Sequence, residues 1–129
     1  MQTDFRIKRI LGGYTKLEAQ SEFYRRIMSG NYQYDVELRE PMSIDKYKEI
    51  YKGITIGLLP CYEDMYSICK SDLRALEYAS MGIVGLTNGG CYSDTPALKC
   101  EYNEFRKKIK RLIYEKSFFL EQSERMIEW

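Results

Sequence analysis

Hydrophobic positions change their period along the chain, and each change marks an element. Phe5 to Leu11 (FRIKRIL) alternates as a strand does, and Gly12-Gly13 breaks it. From about Thr15, Leu17, Phe23, Tyr24 and Ile27 recur at helical intervals, until Ser29-Gly30-Asn31 supplies a stop. Tyr34 to Glu40 (YDVELRE) alternates again and ends at Pro41. Ser43 is placed to cap a helix through Ile44, Tyr47, Ile50 and Tyr51, closed by Gly53. Ile54 to Pro60 (ITIGLLP) is the most apolar run, with the near-continuous hydrophobicity of a strand covered on both faces in a parallel sheet. A helix from about Lys70 to Met81 follows, with Leu73, Leu76 and Ser80 on one side and Ala79 beside them, and Gly82 ends it.

Ile83 to Thr87 reads as another buried strand, bounded by Asn88-Gly89-Gly90. After a loop containing Pro96, Glu101 to Tyr114 carries Phe105, Ile109, Leu112 and Ile113 at helical spacing. Ser117 to Glu128 reads as a last helix with Phe118, Phe119, Leu120 and Met126. Strands alternating with helices predict an α/β fold, a parallel sheet of about four strands flanked by helices. No repeat, low-complexity tract or linker interrupts the 129 residues, so one domain over 1–129 is the expectation.

Composition removes several function classes. With 20 basic against 19 acidic residues, the net charge of +1 supplies no global field for nucleic acid or a membrane surface, so anion binding has to be local. The basic run Arg106-Lys107-Lys108 with Lys110-Arg111 has Glu101, Glu104 and Glu115 nearby and reads as a solvated face. No apolar run approaches the roughly 20 residues of a membrane helix, and Met1-Gln2-Thr3-Asp4 lacks the apolar core of a signal peptide, so a cytoplasmic protein without a transmembrane segment is expected. Four cysteines (Cys61, Cys69, Cys91, Cys100) form no CxxC pair, and there is no histidine. No metal is expected, and reduced thiols in core or loop are the favoured reading. Without histidine, proton handling falls to Asp, Glu, Lys and Tyr.

In an open parallel sheet, ligands gather where strands end and helices begin. Those positions are Gly12-Gly13-Tyr14, Pro41-Met42, Pro60 to Cys69, and Asn88 to Asp94; the loop after Pro60 is the longest. The expected helix start offers the amides of Ser71, Asp72 and Leu73 and the positive end of the helix dipole, and Lys70 adds a full charge. Glu77 follows two turns on, on roughly the face of Lys70 and Leu73. Cation, helix mouth and carboxylate suit a nucleoside diphosphate, with Glu77 accepting from sugar hydroxyls. A plainer reading fits the same residues: a solvated first-turn lysine, a simple cap at Ser71 or Ser67, and Glu77 paired with Arg74 or Arg25. Tyr62, Tyr66 and Tyr92 stand in loops from which a ring could stack on a base, although half-buried packing explains most tyrosines.

Taken together, ITIGLLP, a polar loop and CKSDLRALEYASMGIVGLTNGGCY resemble the donor-binding half of GT-B glycosyltransferases, which transfer sugars from nucleotide-activated donors. There an apolar strand ending in Pro leads to a helix of the type K-S-x-x-(K/R)-x-L-E-Y-A-x-x-G, an apolar strand and a glycine-containing loop. The match is close over Ile54 to Tyr92. It is looser elsewhere, with FRIKRILGG, SIDKYKEIYKG and the closing helices as further elements of the same domain.

The resemblance implies a Rossmann-like domain whose substrate is a nucleotide-diphosphate sugar, with no cofactor and no metal. Glu77 would hold the ribose. Lys70 and the amides of Ser71 and Asp72 would clamp the diphosphate, making Lys70 the catalytic group that stabilises the leaving diphosphate. Gly89, Gly90 and Tyr92 would form the donor loop. Cys69 stands where many retaining members carry a second glutamate. The family's opening strand and its acceptor domain have no counterpart here, so transfer implies an acceptor-domain partner protein or a homo-oligomer, and activity alone is not expected. The alternative readings are a non-catalytic nucleotide-binding module and an oligomerising scaffold derived from that fold.

Overall fold

In the computed structural model of the chain, residues 8–12, 35–62 and 64–129 are described. The chain divides into two compact units, Met1–Gly53 and Ile54–Trp129.

The first unit pairs β1 (Lys8–Gly12) with β2 (Asp35–Arg39) in parallel, from Lys8 opposite Asp35 to Gly12 opposite Arg39. The helix expected from Thr15, its stop at Ser29-Gly30-Asn31 and the site positions Gly13 and Tyr14 lie outside the described residues. The segment after Pro41 is helical but of the tighter 3-10 form, Ile44–Tyr51, and Ser43 stands at its N-cap without a side-chain cap bond. Arg39 closes the other end. Its Nη1 donates to the carbonyls of Glu49 (3.2 Å), Ile50 (2.7 Å) and Lys52 (2.7 Å), and its Nε donates to Glu37 Oε1 (2.7 Å). The guanidinium thereby takes up the Ile50 and Lys52 carbonyls at the end of the turn and adds a second donor to Glu49 C=O, which already accepts from Lys52 N–H at 3.2 Å. Ile50 and Tyr51 form the buried side of the turn, where Tyr47 meets Tyr51 edge-on at 5.7 Å.

The second unit is built on a parallel sheet of order β3-β4-β5, from β3 (Ile56–Leu59), β4 (Val84–Thr87) and β5 (Leu98–Lys99). β4 lies in the middle and every one of its residues is buried, as suits Val84-Gly85-Leu86 and a Thr87 whose hydroxyl is hydrogen-bonded within the chain. Among the described residues the sequence thus forms a pair and a triplet of parallel strands where one sheet of about four was expected. The added strand, β5, is two residues long and follows Pro96, too short for any alternation to announce it.

Two short helices join β3 to β4: α1 (Met65–Ile68) and α2 (Leu73–Ala79). α1 is started by Asp64, whose carboxylate accepts from Ser67 N–H at 2.6 Å. α2 buries Ala75 and Tyr78 and leaves Leu73 and Leu76 exposed, the reverse of the face picked out by leucines. The reason lies in β3: a Cβ on Gly57 would fall inside the Tyr78 ring, so the strand is bare where the ring lies and α2 turns its tyrosine inward.

Two longer helices close the unit, α3 (Phe105–Tyr114), entered through a 3-10 turn at Tyr102–Glu104, and α4 (Lys116–Glu128). α4 packs on α2, α3 and β4, with Met126 fully buried and Ser123 Oγ donating to Gly82 O at 2.8 Å. Arg111 stacks over Phe118 at 3.8 Å and pairs with Glu115, while Arg106, Lys107 and Lys110 are exposed. Among the described residues no helix is long and apolar enough to cross a membrane.

Candidate functional site

Because β3 and β4 are parallel neighbours with Leu59 opposite Thr87, the segments after them leave the sheet side by side. The Asn88 side chain joins these segments. Its Oδ1 accepts from Cys61 N–H at 2.8 Å and its Nδ2 donates to Cys61 C=O at 2.7 Å, continuing the β3–β4 pairing with an amide side chain in place of a strand. Thr87, fully buried, holds the next residue: its Oγ1 accepts from Gly89 N–H (3.1 Å) and donates to Gly89 C=O (3.2 Å).

The donor-loop residues come next. Gly89 (φ 118°) and Gly90 (φ 64°) both take left-handed backbone, and a Cβ on Gly90 would stand 2.6 Å from Cys61 Cβ. Gly90–Tyr92 then forms a 3-10 turn against α1. Cys91 Sγ lies 3.9 Å from Cys61 Sγ. The Tyr92 phenol is pushed up to about 12, first by burial and then by the thiols of Cys91 and Cys61, with Arg74 pulling the other way. The Cys61 thiol is raised as well, by burial and by Cys91, against the pull of Lys70.

The cations of the site therefore bear on these two loops. Lys70 acts on Cys61 and on Asp64, while its ammonium sits 4.5 Å above the Tyr66 ring. That cation–π contact is worth about 0.5–1 kcal/mol at an exposed position. Arg74 acts on Tyr92 and also pairs with Glu77, Nε to Oε2 at 3.4 Å. The Arg74–Glu77 pairing is the plainer reading of Glu77 given by the sequence, and it places the carboxylate on the same side as the guanidinium.

The helix mouth differs from expectation. α2 begins at Leu73, so Asp72 is its N-cap and Ser71 precedes it. Asp72 C=O already accepts from Ala75 N–H (2.8 Å) and Leu76 N–H (3.2 Å), and its carboxylate makes no cap bond. Any anion at this mouth meets a carboxylate as well as amides. The helix fails to reach back to Lys70 because α1 and the turn at Cys69 intervene, a second helix that the apolar pattern does not signal. Tyr62 and Tyr66 are exposed and Tyr92 is half-buried.

Sequence reasoning picks Lys70 at a helix mouth and Gly89, Gly90 and Tyr92 as a loop; in the structure Lys70 acts on Cys61 after β3, and Gly90–Tyr92 forms the turn after β4 whose Cys91 thiol lies 3.9 Å from that of Cys61. That reasoning missed Asn88 as the clamp between the loops and Arg74 as their second cation. The signal for Asn88 was its place directly after a buried strand; for Arg74 it was the first turn of α2. Comparison of the chain with protein-family models, curated proteins and solved structures returns no match.

Proposed function

We propose that Ile54–Trp129 is a sugar-nucleotide-binding unit of Rossmann-like, GT-B type, binding a nucleoside-diphosphate sugar for transfer to an acceptor held by another protein or another copy. One observation carries the reading: two cations, Lys70 and Arg74, bear on the loops that leave the carboxyl ends of adjacent parallel strands, where open α/β sheets hold anionic ligands. Lys70 leaves the Tyr66 ring for the diphosphate. Arg74 supplies a planar fork that takes phosphate oxygens in pairs. Glu77, one turn along α2, accepts from the ribose hydroxyls.

The transfer chemistry asks little more of the protein. An acceptor hydroxyl attacks the anomeric carbon, the bond from that carbon to the phosphate oxygen breaks, the hydroxyl proton passes to the departing diphosphate, and Lys70 and Arg74 stabilise in place the charge that the diphosphate gains as it leaves. Cys69, exposed after α1 where many retaining members of that family carry a glutamate, favours a second reading: a nucleotide binder without transfer.

Calorimetric titration with nucleoside diphosphates and their sugar conjugates tests the proposal. Saturable binding is expected, weakened about tenfold by Lys70→Ala for diphosphates but not for nucleosides, and weakened by Glu77→Gln with the fold intact. Absence of binding at roughly millimolar ligand would sink the proposal. Equal losses for nucleosides and diphosphates would take Lys70 out of the clamp.

A further inference from the structure

Four observations converge on Cys61 and Cys91, and none depends on the nucleotide reading. The thiols approach to 3.9 Å across the ends of β3 and β4. The backbone of Cys61 is fixed on both its N–H and its C=O by Asn88. Gly90, beside Cys91, lacks the Cβ that would push Cys61 away. Both thiols are half-buried rather than sealed, so a small reagent reaches them. By contrast Cys69 is exposed after α1, and Cys100 follows β5. Among the described residues no group of three or more metal-ligating side chains forms around any of them.

We propose that Cys61 and Cys91 are a redox-active dithiol that a low-molecular-weight disulfide converts to an intrachain disulfide, tying together the loops that follow β3 and β4. The exchange opens at one thiol and is closed by the other, with the same products from either start; in one of the two courses Cys91 attacks first. Its thiolate displaces one thiolate from the reagent and leaves a mixed disulfide on Cys91. The Cys61 thiolate then attacks the Cys91 sulfur, forms the Cys61–Cys91 bond and expels the second reagent thiolate. The protein gives up two electrons and two protons, and the reagent disulfide leaves as two thiols. Because Asn88 and the β3–β4 pairing already hold the two loops together, closing the bond orders little additional chain.

The test uses the full chain and oxidised glutathione, followed by intact mass and peptide mapping after alkylation. The expected product has lost about 2 Da, the two thiol hydrogens, and yields a linked pair of peptides carrying Cys61 and Cys91. Dithiothreitol restores the original mass, and Cys91→Ser abolishes the link. A parallel reaction in urea gives scattered pairing among the four cysteines, which ties the selectivity to the fold. The proposal is overturned if the native chain accumulates only glutathione adducts on Cys61 or Cys91. It is overturned equally if links to Cys69 or Cys100 form as often in the native chain as in urea. Neither result depends on whether nucleotides bind.

Discussion

The Asn88 side chain takes both backbone polar groups of Cys61, accepting its N–H and donating to its C=O, and so stands in for one more residue of strand pairing between β3 and β4. Asn88→Ala removes both bonds and leaves a part-buried N–H and C=O to whatever water can reach them. The expected loss is about 1–3 kcal/mol, read from urea denaturation of the chain. Asn88→Asp keeps the acceptor but turns an oxygen toward the Cys61 carbonyl, so it should recover only part of the loss. A wild-type midpoint for Asn88→Ala would mean that the clamp carries no stability.

Gly57 and Tyr78 are matched in the same way through packing. A Cβ at position 57 has no room beside the Tyr78 ring, so Gly57→Ala forces the ring, and with it α2, off β3. The cost expected is about 1–3 kcal/mol or more, the range for overpacked cores. In a Tyr78→Ala background the space is open, and the same substitution should be nearly harmless. Additive costs in that double-mutant cycle would show that the two residues do not share the contact.

Which parts of this fold could be read in the sequence follows from what each signal depends on. β2, β3, β4 and the two closing helices announce themselves because their apolar period is long enough, or their burial complete enough, to survive local exceptions. α2 was legible as a helix but not in its orientation: Leu73 and Leu76 look like core residues, yet Gly57 on the facing strand selects Tyr78 instead. α1, four residues long, has no room for a period. Its only signal is Asp64, three positions before the Ser67 amide that it accepts. The site was half legible for the same reason. Lys70 and Gly89-Gly90 are recognisable by type and position, whereas the reach of Arg74 toward Tyr92 and the Asn88 clamp depend on which strands are neighbours.

Gln122 on α4 is buried, and its Oε1 has no hydrogen-bond partner among the described residues. A buried acceptor without a donor costs free energy that an apolar side chain of similar length does not. Gln122→Met should therefore stabilise the chain, by about 1 kcal/mol, seen as a higher denaturation midpoint. A lower midpoint would mean that the amide contributes more through its remaining contacts than its oxygen costs.

Tyr92 supplies a pH signature. Its phenol is pushed from 10.0 to about 12 in the folded chain, so it stays protonated where an unfolded tyrosine ionises. The stability it contributes is complete below pH 10 and is lost as pH rises through 10 toward 12, because the unfolded state gives up its proton first. Phenolate absorbance of the wild type minus that of Tyr92→Phe should titrate near 12. Oxidation of Cys61 and Cys91 removes two neighbouring thiolates, so the same difference curve should move to lower pH while remaining raised by burial. A difference curve centred at 10 in the reduced chain would mean that the ring is solvated.

Asp72 distinguishes a working diphosphate clamp from a cluster of residues that merely look like one. It caps α2 without using its carboxylate in a cap bond, and that negative charge stands at the end of the helix where the proposed diphosphate would rest. If Lys70 and Arg74 hold a diphosphate there, the carboxylate opposes it, and Asp72→Asn should tighten nucleoside diphosphates by about two- to tenfold, the effect of removing one partly screened like charge. Nucleosides, which carry no phosphate, should bind as before. The substitution also keeps a good N-cap residue, so helix stability should hardly change. Calorimetry of this variant beside Lys70→Ala reads the two charges in opposite directions. Tightening by one and weakening by the other would locate the anion between them, whereas no response to Asp72→Asn would place it away from the α2 mouth.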